Sequence, residues 1–241
     1  MSGRVAFVCA MPMELVPLRR KLSLRKRQLA GLDVYEGSLG PRPVVATVTG
    51  MGTALATQGT ERLLAATAVD QVVVVGITGA LDQATPIGSL VRPEVVVDGA
   101  TGAEFRPQPL GRALPAGKMW TSDSMITDAE ALSGLRAQGV VALDMETAAV
   151  AAVCQGRGIP WSVVRSVSDR TGDGVDDEIF GLSNQDGTPN PRAVVAFVAK
   201  HPGRIPAMAR MARGAKLATE RAADEAIAAL TQPPGDRPDP S

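Results

Sequence analysis

Along this chain, short apolar runs rich in β-branched residues alternate with longer stretches whose apolar positions recur three and four apart. These are the periods of buried strands and of helices. Val5–Cys9 reads as a strand, and Met13 to about Leu22 as a helix with Pro12 near its start. Leu32–Tyr35, Gly37–Leu39 and Val44–Thr49 form a hairpin-like region, and Gly50-Met51-Gly52-Thr53 turns into a helix over roughly Ala54–Ala66. Gln71–Val75 is a continuous β-branched run, the mark of a strand buried on both faces, and it ends in Gly76-Ile77-Thr78-Gly79. Leu90–Val97 is a further strand after a Pro86-Ile87-Gly88 turn, while residues 99–118, rich in Gly and Pro, read as a surface excursion. Met119–Ile126 with Ala129–Ala137, then Val140–Leu143 with Thr147–Gln155, give two more strand-and-helix units, and Trp161–Val167 completes the sheet. A second long loop spans 170–192, helices are predicted at about Arg192–Ala199 and Pro206–Leu230, and the tail Gln232–Ser241 has a disordered composition. The alternation predicts one α/β domain over 1–231 with helices on both faces of a sheet, a three-layer αβα sandwich.

Composition narrows the chemistry. Lys+Arg and Asp+Glu are both 25, so no broad positive field marks a nucleic-acid binder. Cys9 and Cys154 lie far apart in apolar runs, without metal or disulfide spacing, which predicts buried reduced thiols in a cytoplasmic protein. The apolar start is interrupted by Pro12 and Glu14, too early for a signal peptide or a membrane span. A single histidine, His201, sits at a Lys-His-Pro-Gly break near the C-terminal helices, so any acid and base here are expected to be carboxylates. Asp173, Asp176, Asp177 and Glu178 miss the spacing of a calcium loop and read as turn acids. Met208–Leu217 has the pattern of a basic amphipathic helix, either a membrane or partner surface or a helix docked through Met and Leu with its charges in water.

Candidate chemistry concentrates in Ala142-Leu-Asp-Met-Glu-Thr-Ala-Ala-Val-Ala-Ala-Val-Cys154 and in Val163-Val-Arg-Ser-Val-Ser-Asp169. A helix that opens on Asp144 and Glu146 faces a strand that ends in Arg165, Ser166, Ser168 and Asp169. Ligands of α/β proteins bind just past the carboxyl ends of strands, so this arrangement places two acids where a site is expected. The plainer alternative is that Asp144 and Glu146 favour the helix dipole and that Asp169 begins a turn.

These paired segments resemble the signature of the nucleoside phosphorylase and nucleosidase superfamily, nearest to nucleosidases of 5′-methylthioadenosine and S-adenosylhomocysteine. The resemblance runs from about Val5 to about Asp169. It implies a mixed, largely parallel twisted sheet, a small nucleoside as ligand, and hydrolysis of an N-glycosidic bond; no cofactor or metal is expected, since the chain has no Cys/His cluster and its carboxylates are given substrate roles. It also implies roles for particular residues. Asp169 corresponds to the acid that protonates the purine N7, with Ser168 beside it; Glu146 corresponds to the ribose ligand, and Met145 packs under the sugar. Glu14, in Cys9-Ala-Met-Pro-Met-Glu14, corresponds to the residue that activates water; without the resemblance it reads as an ordinary first-turn helix acid. Arg165 is a candidate either for an anion or for orienting Glu146. Asp123-Ser-Met-Ile126 matches the segment along the purine, through Met125 and Ile126, and Ile77 and Gly79 belong to the turn expected behind the base. Gly50–Thr53 fits either a phosphate or water pocket or a tight connection.

The chain departs from that family at several points. Ile77 stands where a serine is usual and Met125 where an aromatic is usual, and 99–118 lacks a Tyr-His-Asp pattern. Family members borrow part of the 5′ pocket from a second subunit, so a homodimer is expected, with Phe105 or Leu114 reaching the partner's site; the alternative is a monomeric lid. Two functional alternatives stay open at this point: a phosphorylase that uses phosphate in place of water, and a silent nucleoside-binding module.

Overall fold

A computed structural model describes residues 3–173, 181, 182, 184, 188 and 190–231. Asp176, Asp177 and Glu178, most of the second long loop and the tail from 232 therefore lie outside the described residues. At the centre, β1 (Val5–Cys9) runs parallel between β4 (Arg42–Val48) and β5 (Gln71–Ala80). On the other edge of β5, β11 (Trp161–Arg170) is parallel from Trp161↔Val72 to Arg170↔Ala80. β10 (Val140–Asp144) meets the far end of β5 antiparallel, and continues the sheet in parallel through β9 (Lys118–Thr121) to β7 (Val95–Asp98). Antiparallel additions form the margins: β2 (Arg25–Leu29) and β3 (Leu32–Leu39) beside β4, β8 (Glu104–Phe105) beside β7, and β6 (Leu90–Val91) beside β11. The sheet is mixed, with its parallel pairings in the interior, as expected.

Both faces are covered. α1 (Pro12–Lys21) and the long α6 (Ile205–Thr231) pack Leu15, Leu18, Ala222 and Ala226 against Val5, Phe7, Cys9 and Val73. On the opposite face, α2 (Thr53–Ala66) and α4 (Thr147–Gly156) bring Ala56, Leu63, Ala151 and Cys154 onto Ala6, Val8, Val72 and Val74. α3 (Ala129–Ala137) closes a smaller cluster of Leu81, Leu135 and Val140, and α5 (Pro191–Lys200) precedes α6. Small residues on α4 and α6 let helix and sheet backbones approach closely. His201 lies exposed at the end of α5, as its break sequence suggests.

Several elements differ from the sequence pattern, among them β9, which ends at Thr121 and leaves 122–126 outside any strand. β2 reads Arg-Lys-Arg-Gln-Leu with almost every position exposed; it carries no apolar period because it covers no core. Its turn to β3 places Ala30 (φ 48°) and Gly31 (φ 75°) in the left-handed region, the conformation that matches strand twist in a two-residue hairpin. Leu90–Val97 breaks into β6 and β7 around Arg92-Pro93-Glu94, since proline donates no ladder hydrogen bond. Within the excursion at 99–118, Glu104–Phe105 is a strand, and Phe105 packs on the chain's own core.

A further difference, in β5, shapes the site. Gly76–Gly79 is not a turn: β5 continues through it to Ala80 because β11 supports that edge throughout. On the other edge β1 pairs only as far as Val74, and β10 joins only at Gly79. Between them the sheet splays, and side chains rather than a strand meet the backbone of β5.

α6 crosses β11 where Gly214 faces the Ser168 carbonyl; a Cβ there would lie 2.8 Å from that oxygen and 3.3 Å from Ile87 Cγ2. Gly214→Val is expected to force the helix off the strand and to destabilise the protein by about 1–3 kcal/mol, the usual penalty of overpacking. Urea denaturation checks this; an unchanged midpoint would show that the approach is slack.

Candidate active site

Arg165 occupies the splay in the sheet, with 1% of its side chain exposed. Its Nη2 lies 2.6 Å from Asp144 Oδ2 and 3.6 Å from Glu146 Oε2, while Nη1 lies 3.5 Å from Glu14 Oε1. Burial opposes the guanidinium's charge, but the three carboxylates outweigh it and hold the proton more tightly than usual. An arginine in the buried part of a strand demands such partners, because a lone buried charge is prohibitively desolvated.

The two acids that open α4 divide their work. Asp144 is the helix cap: its Oδ2 accepts from the Thr147 backbone N–H at 3.0 Å and from the Thr147 hydroxyl, and its Oδ1 accepts from Thr121 Oγ1 at 2.6 Å. Thr147 Oγ1 in turn accepts from Arg165 Nη2 at 3.0 Å. Glu146 is thereby released from capping. Its Oε1 accepts from the Gly52 N–H at 3.0 Å, so α4 is tied to the turn at the start of α2. Gly52 has φ 91°, a conformation that brings its N–H to the carboxylate at little steric penalty. Burial first, and then the Asp144 charge, push the Glu146 carboxyl up to about 8.

Glu14 combines both roles that its position allows. Its Oε2 accepts from the Ala10 and Met11 N–H groups at 2.8 and 2.9 Å, a first-turn capping arrangement with Pro12 at the helix start. Its Oε1 accepts from the Ile77 N–H at 2.8 Å, across the splay in the sheet. Burial raises its carboxyl above the ordinary value; Arg165 and the N–H donors restore only part of the difference. Gly76 makes room for this meeting, since a Cβ there would fall 2.1 Å from Glu14 Oε1 and 2.4 Å from Arg165 Nη1.

Asp169 lies further along β11. The ladder skips a residue between Val167↔Thr78 and Asp169↔Gly79, a bulge that re-aims the side chains around Ser168. Asp169 Oδ1 accepts from Ser168 Oγ at 2.5 Å, and a Cβ on Gly79 would sit 3.3 Å from its Oδ2. Burial raises the Asp169 carboxyl; the Ser168 hydrogen bond lowers it and the Asp173 charge raises it further.

The structure thus joins Glu14, Glu146 and Arg165 in one bonded cluster and sets Asp169, Ser168 and Gly79 beside it on the same two strands. Ile77 contributes its backbone N–H to Glu14 and, through its carbonyl, accepts from Arg165 Nη1 at 3.3 Å. Met145, between β10 and α4, is half-buried, as are Met125 and Ile126 ahead of α3; Ile126 packs on the Leu81–Leu135–Val140 cluster. None of these three bonds a site carboxylate among the described residues. Sequence reasoning missed Thr121, Thr147 and the Asp144–Arg165 pair. The buried arginine was the available signal, but its partners come from three elements distant in sequence. It also missed Asp123, whose Oδ1 accepts from the Thr53 N–H and hydroxyl at 2.8 and 2.7 Å, and so holds the start of α2.

Comparison with known proteins identifies the family. The family model of the phosphorylase superfamily matches residues 4–113 and 103–199, and the chain belongs to this superfamily. It is 29% identical over 201 residues to the 5′-methylthioadenosine/S-adenosylhomocysteine nucleosidase of Actinobacillus succinogenes, covering 71% of this chain and 87% of that protein. The enzyme of the same name from Haemophilus ducreyi is 29% identical over 199 residues, 70% of this chain and 86% of its own. Among solved structures, the fold matches that nucleosidase from Colwellia psychrerythraea in complex with adenine, with a TM-score of 0.70, 22% identity and 95% of each chain covered. It also matches the futalosine hydrolase of Helicobacter pylori, with a TM-score of 0.69, 16% identity, and 95% and 98% of the two chains covered.

The Glu146 carboxyl makes stability depend on pH in a definite direction. Between its ordinary value of 4.5 and about 8, the folded chain keeps a proton that the unfolded chain has released. Wild-type stability therefore falls as pH rises through this window. Glu146→Gln does not titrate, so its melting temperature relative to wild type is expected to climb between pH 5 and 8. A difference independent of pH in that range would contradict the raised carboxyl.

Proposed function

We propose that this protein is a purine nucleosidase, which hydrolyses the N-glycosidic bond of a 5′-modified adenine ribonucleoside such as 5′-methylthioadenosine or S-adenosylhomocysteine. Superfamily membership and the nucleosidase relatives support the reaction class and substrate; the carboxylates support the mechanism. Breaking this bond develops positive charge on the ribose and negative charge on the departing base, so the demands parallel those of glycoside hydrolysis. Asp169, whose hold on its proton is strengthened by burial, acts as the general acid toward N7 of the base. Glu146 hydrogen-bonds the ribose hydroxyls, with Met145 under the sugar. Glu14, its basicity raised by burial, takes a proton from water as the water oxygen bonds to the anomeric carbon. Met125, Ile126, Ile77 and Gly79 line the base, and Arg165 holds the carboxylates in register. The products are the free base and the free sugar.

The observation that carries the choice of water over phosphate is the occupation of the anion-binding positions. The N-terminus of α2, where a phosphate would dock, already holds Glu146 on the Gly52 N–H and Asp123 on the Thr53 N–H. The Arg165 guanidinium is already engaged by Glu14, Asp144 and Glu146, so it offers no free cation to a phosphate. A site for a neutral nucleophile remains.

We further propose a homodimer in the cytoplasm. The buried thiols of Cys9 and Cys154 suit a reducing compartment, and among the described residues no helix is long and apolar enough to cross a membrane. Leu114, 82% exposed in the loop at 99–118, is the candidate to reach a partner, since Phe105 is engaged in its own core.

With purified protein and methylthioadenosine, adenine release is expected without phosphate, with free methylthioribose as the second product. A requirement for phosphate and formation of a sugar 1-phosphate would refute hydrolysis. Asp169→Asn is expected to lower kcat by about 10²–10⁴-fold, the usual effect of losing a general acid, while methylthioadenosine still binds. Near-normal turnover by this variant would remove Asp169 from the mechanism.

A further inference from the structure

Glu14 and Glu146 are each anchored by backbone N–H groups and face Arg165, whereas the Asp169 carboxylate is held, among the described residues, by the hydroxyl of its neighbour Ser168. Its aim therefore depends on the backbone of β11, which bulges at Ser168 and ends at Arg170. That end is held by Gln83, whose side-chain amide donates to the Thr171 carbonyl and whose backbone carbonyl accepts from Arg170 Nη1, both at 3.1 Å, and by a cluster on the neighbouring turn. The Thr171 N–H bonds the Ala80 carbonyl at 3.0 Å, continuing the ladder by one residue. Beyond it, the Leu81 carbonyl accepts three hydrogen bonds: from Thr171 Oγ1 at 2.8 Å, and from Arg136 Nε and Nη2 at 2.9 and 2.7 Å. Arg136 Nη2 also reaches Thr171 Oγ1 at 2.9 Å, so the guanidinium closes a ring over both strand ends.

Arg136 lies in the last turn of α3, a helix started by Asp128, whose Oδ1 accepts from the Ala131 N–H, and seated through Leu132 and Leu135. That helix follows directly on Asp123–Ile126, the segment assigned to the base. We propose that Arg136 is a positioning residue for Asp169, locking the end of β11 so that the acid and the base-lining segment keep a common geometry. Charge-assisted hydrogen bonds from a planar guanidinium suit this task, because Nε and Nη2 grip one carbonyl oxygen from fixed directions. Arg136 touches neither substrate nor the reacting atoms; it acts through Leu81 and Thr171.

This inference rests on the role of Asp169 proposed above, and the two are separable by experiment. Full-length Arg136→Ala, Arg136→Lys and Asp169→Asn are compared with wild type in adenine release from methylthioadenosine across pH. Arg136→Ala is expected to lower kcat about tenfold with KM within about twofold, since a small misplacement of a catalytic group weakens the chemical step more than binding. A loosened strand end admits water to Asp169, so the alkaline limb of the kcat profile is expected to move to lower pH. The charged neighbours Arg170 and Asp173, paired at 3.1 Å, are untouched by the substitution. Arg136→Lys, which keeps a cationic donor but not the planar two-point grip, is expected to recover only part of the rate. If Arg136→Ala does not fold, Thr171→Val breaks the same ring and is read in the same way. A lower melting temperature with wild-type kcat and pH profile would overturn the positioning role and leave the hydrolase assignment intact. Full activity of Asp169→Asn would instead overturn the assignment beneath it.

Discussion

A buried arginine surrounded by acids from three separate elements is the interaction on which this molecule is organised. Arg165 cannot sit in the interior without charge partners, and Asp144, Glu14 and Glu146 cannot crowd together without a cation. Each side makes the other tolerable. The partners come from the start of α1, the end of β10 and the start of α4, and they converge only if β1, β5, β10 and β11 are all in place. The placement of the carboxylates and the correct sheet order therefore depend on the same ion cluster. Burial raises the Glu14 and Glu146 carboxyls, and at Glu146 the Asp144 charge adds to the rise.

The sheet supplies the space. β5 changes partners along one edge, from β1 to β10, and the unpaired stretch between them exposes the Ile77 N–H to a side chain. A backbone donor buried without a partner would be destabilising, and Glu14 removes that penalty while gaining a fixed orientation. Gly76 is needed because two charged side chains pass where its Cβ would be. The same economy appears at α4, where Asp144 takes over the helix cap and leaves Glu146 free to face the turn at Gly52.

The occupation of the α2 N-terminus by two carboxylates gives the superfamily fold a bias toward a neutral nucleophile. A helix N-terminus after a glycine turn ordinarily attracts phosphate. Here Asp123 and Glu146 satisfy those N–H groups from within the chain, so fold and reaction are decided at different levels. The fold builds the pocket, while a few side chains decide which anion it excludes.

Much of this architecture was legible in the sequence because it rests on local periodicity: the β-branched runs at Val5–Cys9 and Gln71–Val75, the helices at 129–137 and 147–156, and the carboxylates placed beside strand ends. The resemblance of the Asp-Met-Glu-Thr and Ser-Val-Ser-Asp segments singled out Glu14, Glu146 and Asp169. Tertiary structure decided the rest. β2 has no apolar period because it covers no core, and Gly76–Gly79 continues as strand because β11, eighty residues later, supports it. Phe105 turned inward because β8 pairs with β7, which spacing alone does not reveal. That Arg165 joins Asp144, Glu14 and Glu146, and that Asp144 rather than Glu146 caps α4, depends on which strands lie side by side. Local patterns report how each segment buries its own apolar atoms. Compensation of buried charge is a long-range condition, met only when distant segments are packed together.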